Sequence, residues 1–221
     1  MITISRLYDD YETAARVVDD LERAGIPHAD ISIIANNAEG WYDRDRPGTT
    51  PGTTPGTTGS TTRRIDRDAD GVDDRAEGAA AGAGIGATLG GVAGLLAGLG
   101  LMAIPGLGPV VAAGWLASTA AVAAAGGAAG GLIGALAQSG IGEDDAHAYA
   151  EGVRRGGTLV MARVPDAERA RVEAIMDRAA VDIGHRAETW RKSGWDRFDP
   201  DAPPYTADEI RRERELYGAR V

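Results

Sequence analysis

Ile2, Ile4 and Leu7 alternate with polar residues, the period of a half-buried strand, and Asp9-Asp10 place helix-start chemistry directly behind them. From Tyr11 the apolar positions Ala14, Ala15, Val17, Val18 and Leu21 share one helical stripe, and Gly25 stands where the helix should end. Pro27 and Asp30 then turn the chain into the β-branched run Ile31-Ser32-Ile33-Ile34-Ala35, closed by Asn36-Asn37. Residues 2–35 therefore read as strand, helix, strand. A second such unit follows far downstream. Thr158 to Val164 has strand character, Pro165 sits near a helix start, residues 167–180 carry Val172, Ile175 and Met176 on one face, and Val181-Asp182-Ile183 reads as a further strand.

Two strand-helix-strand halves predict an α+β domain of ferredoxin-like arrangement, a four-stranded antiparallel sheet with two helices on one face. A three-stranded α+β sandwich is the alternative. The halves, 1–37 and 143–188, are separated by three unlike segments and followed by an aromatic and charged tail, 189–221. Residues 38–64 hold the thrice-repeated Pro-Gly-Thr-Thr and offer nothing apolar within the repeat to bury, which predicts a disordered linker. The tail carries Trp190, Trp195, Phe198 and Tyr205, then Thr206 and Glu209 in capping-box spacing ahead of a charged helix. Such aromatics are expected to clamp the protein's own sheet or a neighbouring subunit.

Residues 78–142 contain no Asp, Glu, Lys or Arg in 65 positions. Glycine recurs every fourth residue at Gly78, Gly82, Gly86, Gly90, Gly94 and Gly98, and again at Gly126, Gly130 and Gly134. That period aligns small residues along one helical face, where another helix can approach to backbone contact. With Pro105-Gly106-Leu107-Gly108-Pro109 as a turn, the segment predicts a glycine-zipper helical hairpin with arms 78–103 and 110–138. Each arm would span roughly 40 Å, enough to cross a bilayer. Gly and Ala supply 17 of 26 residues in the first arm and 18 of 29 in the second, weak drivers of insertion. Two readings follow: two transmembrane helices in the inner membrane with the α+β domain cytoplasmic, as Arg63, Arg64, Arg67 and Arg75 favour, or a cytoplasmic homo-oligomer that buries the hairpin. The partners expected are thus membrane lipid or copies of the same chain.

The acidic loop 65–77 matches the spacing of a calcium loop. Asp66, Asp68, Asp70 and Asp74 would offer carboxylates, Val72 its carbonyl and Glu77 two oxygens, the hard ligands that calcium needs. Asp73 stands where paired EF-hands place an aliphatic residue, and the preceding segment is linker, so calcium binding competes with a solvated spacer that caps the next helix.

Composition narrows the remaining classes. A formal charge of −10 disfavours nucleic acid, and zero cysteines exclude disulfides, thiolate metal sites and a Cys nucleophile. His28, His147 and His185 are scattered, and neither G-x-S-x-G nor G-x-x-x-x-G-K-[ST] occurs. Glu143, Asp144, Asp145 and His147 read as the first turn of a helix rather than as ligands. No catalytic residues, small-molecule substrate or cofactor other than calcium are expected.

Residues 25–34, Gly-Ile-Pro-His-Ala-Asp-Ile-Ser-Ile-Ile, and residues 140–160, with Gly140-Ile141-Gly142-Glu143-Asp144-Asp145 leading to Gly156-Gly157-Thr158-Leu159-Val160, resemble the bacterial general stress protein 17M-like family, also called heat-induced stress protein domains. The resemblance covers roughly residues 1–185, apart from the linker. It implies a stress-associated protein without enzymatic activity, and a glycine-rich hairpin between the halves is a feature of many such proteins.

Overall fold

A computed structural model describes residues 1–44, 100–104, 107–115 and 131–218. Five strands, β1 (Ile2–Tyr8), β2 (Ile31–Asn36), β3 (Gly100–Ile104), β4 (Gly108–Gly114) and β5 (Thr158–Val164), form one antiparallel sheet in the order β1-β5-β2-β4-β3. The described helices of eight residues or more are α1 (Tyr11–Arg23), α3 (Gly131–Gln138), α4 (Glu143–Arg154), α5 (Arg169–Met176), α6 (Ile183–Lys192) and α7 (Ala207–Gly218), with the single turn α2 at Trp41–Arg44. The chain is an α+β protein.

Local chemistry sets the first unit. Asp10 caps α1 by accepting from the Thr13 amide at 2.7 Å, and Ala14, Val17, Val18 and Leu21 form its buried stripe. The helix closes where the Ile26 amide reaches back to the Leu21 carbonyl at 3.1 Å. β1 and β2 are not neighbours. β5 lies between them, antiparallel to both, with Ile4 opposite Ala162 and Ile33 opposite Val160.

Both faces of the sheet are covered, which differs from the expected single helical layer. Ile4, Tyr8, Ile33, Val160 and Ala162 pack with α1 and α5, whereas Leu7, Ile34, Leu159 and Met161 pack with α3 and α4. Strands buried on both sides lose the apolar and polar alternation of a one-sided sheet, and every residue of β2 is buried. α4 lies so close to β1 that a Cβ at Gly152 would fall 2.5 Å from Leu7 Cδ2.

Two further expectations are corrected. Val181-Asp182-Ile183 is not a strand: Val181 makes one isolated bridge to Leu7, and Asp182 then caps α6 by accepting from the His185 amide at 3.0 Å. Capping chemistry ends the extended segment after one residue. The middle of the uncharged stretch is likewise not helical. Residues 100–104 and 108–114, assigned above to helical arms and their turn, pair with each other as a β-hairpin, and β4 continues the sheet from β2 with Ile34 opposite Ala112. An open β2 edge offers hydrogen-bond partners that outweigh a local glycine period, and Val110 and Val111 suit the strand. Helix α3, at 131–138, agrees with the second arm.

Candidate functional site

The turn between α4 and β5 is where the tail returns to the domain. Glu151, on α4, has no solvent exposure and accepts from Arg155 Nε at 2.7 Å and from Arg154 Nη1 at 3.4 Å. Arg155 reaches on to Glu213 of α7 at 2.9 Å, and the same Glu213 oxygen accepts from Trp190 Nε1 of α6 at 2.9 Å. The guanidinium of Arg155 also lies 4.8 Å from the Trp190 ring centroid and 5.3 Å from that of Tyr205. Burial alone would lower the pKa of Arg155, but the Glu151 and Glu213 carboxylates offset it and raise the value, so the charge is held firmly. Burial raises Tyr205 in turn, keeping its phenol neutral.

Around this ion cluster the returning tail, residues 198–218, forms a strap that is fastened by shape. Ile210 is fully buried over Gly156, Arg214 Nη2 donates to the Gly156 carbonyl at 3.1 Å, and Arg186 lies 3.9 Å from the Tyr217 ring centroid. Arg154 Nη2 donates to the Pro203 carbonyl at 2.9 Å. Beneath α7 a void of about 10 Å³ remains, room for one water. Phe198 completes the core on the α3 and α4 face. The tail aromatics thus clamp the protein's own domain.

Beside the strap, at the sheet end where β2 finishes and β5 begins, a cleft of about 370 Å³ opens. Its floor is fixed by Asn36, whose amide donates to the Val153 carbonyl at 3.1 Å while its oxygen accepts from the Ala38 amide at 2.8 Å. Trp41 Nε1 donates to the Asn36 carbonyl at 2.8 Å, which holds the indole against Tyr11 with ring centroids 4.4 Å apart. Arg214 and Glu39, paired at 2.6 Å, contribute to its lining, as do Asp10 and Glu12 from the start of α1. Burial raises the pKa of Tyr11, so its phenol stays neutral there.

Of the residues singled out from sequence, Asp66, Asp68, Asp70, Val72, Asp74 and Glu77 lie outside the described residues, as do Gly78, Gly82, Gly86, Gly90, Gly94, Gly98, Gly126 and Gly130. Gly134 falls within α3, where an added Cβ would meet no described heavy atom within 4 Å. Glu143, Asp144 and Asp145 form the first turn of α4, as expected. Among the described residues no group of three or more His, Asp or Glu side chains could hold a metal ion, and no helix is long and apolar enough to cross a membrane. The cleft was missed in the sequence. Its one signal was the adjacent pair Trp41-Tyr42, which falls inside the segment 38–64 read above as a disordered linker. The first residues of that segment are instead ordered, with 41–44 forming the turn α2 because Trp41 bonds to Asn36 and stacks on Tyr11. No protein-family model, curated protein or solved structure matches the chain.

Proposed function

We propose that this chain is a non-enzymatic, stress-associated module with a ferredoxin-like core, which self-associates through the uncharged, glycine-rich segments flanking β3 and β4. One observation carries the choice of self-association over a membrane-spanning hairpin. β2 precedes residues 78–99 and hydrogen-bonds to β4, which follows them; β4 precedes residues 116–130 and β5 follows, yet both bond to β2. A single crossing of a bilayer between β2 and β3, or between β4 and α3, would put strands of one sheet on opposite faces of the membrane.

The ferredoxin-like reading is supported by the sequence of neighbours Val181, β1, β5, β2, with β4 and β3 added at the far edge. The stress-associated part rests on the resemblance of residues 25–34 and 140–160. The non-enzymatic part is supported by the engagement of polar groups in structure: Asp10 caps α1, Asn36 ties β2 to α4, and Glu39 pairs with Arg214. Sedimentation velocity of the full chain tests the proposal. A defined oligomer that dissociates when Gly86, Gly90 and Gly94 are replaced together by Leu is the expected result. A monomer at all accessible concentrations, or retention of the native protein in carbonate-washed membranes, overturns it.

A further inference from the structure

The cleft at the end of the sheet has the volume of a small-ligand site, and its lining combines aromatic rings with carboxylates. We propose that it binds a small organic cation, an ammonium carried on an alkyl or aryl body. The stacked pair of Tyr11 and Trp41 presents flat, polarisable carbon that is already ordered by the Trp41 hydrogen bond to Asn36, so little side-chain freedom remains to be lost on binding. Three carboxylates, Asp10, Glu12 and Glu39, line the space against the single guanidinium of Arg214.

Those carboxylates are not equivalent. Glu39 is held by Arg214 at 2.6 Å and by Arg211 at 3.5 Å, and Asp10 is turned toward Thr13, whose amide and hydroxyl it accepts at 2.7 and 3.0 Å. Glu12 has no ion pair among the described residues and is exposed at the cleft rim. It is the group free to meet an incoming positive charge. An anion would find Arg214 already occupied by Glu39 and by the Gly156 carbonyl, with two further carboxylates nearby. A neutral ligand would gain the aromatic surface alone.

Titration calorimetry of the full chain with benzyltrimethylammonium, benzyl alcohol and phenylacetate distinguishes these cases. Saturable binding of the ammonium, in preference to its neutral and anionic analogues, is expected. Glu12→Gln should weaken it roughly fivefold, the upper range for an exposed charge pair, and Trp41→Leu roughly tenfold. Glu12 is exposed, so its substitution leaves the core intact and keeps the test meaningful if Trp41→Leu fails to fold. No saturation by the ammonium up to about 10 mM, equal affinity for the three probes, preference for phenylacetate, or undiminished affinity in Glu12→Gln would each overturn the proposal.

Discussion

Ile210 of the C-terminal helix rests directly on Gly156, a residue in left-handed conformation with φ of +99° at the turn between α4 and β5. The turn needs a residue without a Cβ for two separate reasons, its backbone angle and the Ile210 side chain above it.

Gly156→Ala should therefore destabilise the fold by about 1–3 kcal/mol from backbone strain alone, with a further penalty from the collision. Ile210→Ala separately removes a fully buried aliphatic group, at about 2–5 kcal/mol. Because the second change removes the obstacle met by the first, the double variant should lose less than the sum of the two. Urea midpoints for the four proteins check this, and strict additivity would mean that the two residues do not touch in solution.

The ion cluster below the strap predicts a strong asymmetry. Glu151→Gln puts a neutral amide where the half-buried Arg155 and Arg154 met a fully buried carboxylate, and although Arg155 keeps Glu213 the change should cost about 1–3 kcal/mol. Replacing Glu151 and Arg155 together by Leu and Met removes one acid and one base, leaves Glu213 bonded to Trp190 and Arg154 to the Pro203 carbonyl, and should be milder than the single change. The same urea measurements decide it; a double variant as unstable as Glu151→Gln would show that packing, not charge, holds this site.

Acid should loosen the tail first. Glu209 accepts from the Thr206 amide at 2.8 Å and from its hydroxyl at 2.7 Å, and these bonds hold its pKa below the ordinary 4.5. A lowered carboxylate contributes stability that is present above the unfolded value and is lost as pH falls through the folded one. Amide protection over 207–218, measured relative to the intrinsic exchange rate at each pH, should thus fall between about pH 5 and pH 3 while the β5 amides keep theirs. Thr206→Ala, which removes the reciprocal cap, should speed exchange in α7 at neutral pH; indifference to both changes would exclude the capping box as the anchor of this helix.

Much of the sheet was legible because its strands carry their own signals: Thr158 to Val164 and Ile31 to Asn36 are found where β-branched and apolar runs placed them. Those same runs also signalled burial on both faces, being continuous rather than alternating, a cue obscured by the weak alternation of β1. The hairpin of β3 and β4 was hidden for a different reason. Its glycines and alanines fit a helical period of four locally, and only the free edge of β2, a partner more than 60 residues away in sequence, selects the extended form. The cleft was hidden for the same kind of reason. Asp10, Asn36, Trp41 and Arg214 belong to four different elements that meet only after β5 inserts between β1 and β2.

Alkaline stability should report on Tyr8. Its side chain is fully buried among the residues that pack with α1 and α5, and its hydroxyl donates to the Met176 carbonyl at 2.9 Å, joining β1 to the end of α5. Burial raises its pKa far above the ordinary 10.0, with nearby Arg6 opposing only in part. The folded protein holds this proton more tightly than the unfolded chain does. The stability that Tyr8 contributes through this proton is complete below pH 10 and falls as pH rises beyond it, because unfolding then releases the proton. Tyr149, raised by burial and donating to the Ser5 carbonyl at 2.9 Å, adds to the same limb. Tyr8→Phe should cost about 1–3 kcal/mol at neutral pH, since it leaves a buried carbonyl unpaired, yet it should lose less additional stability above pH 10 than the native chain. Thermal denaturation across that range measures both effects, and parallel alkaline slopes for the two proteins would show that Tyr8 ionises freely in the folded state.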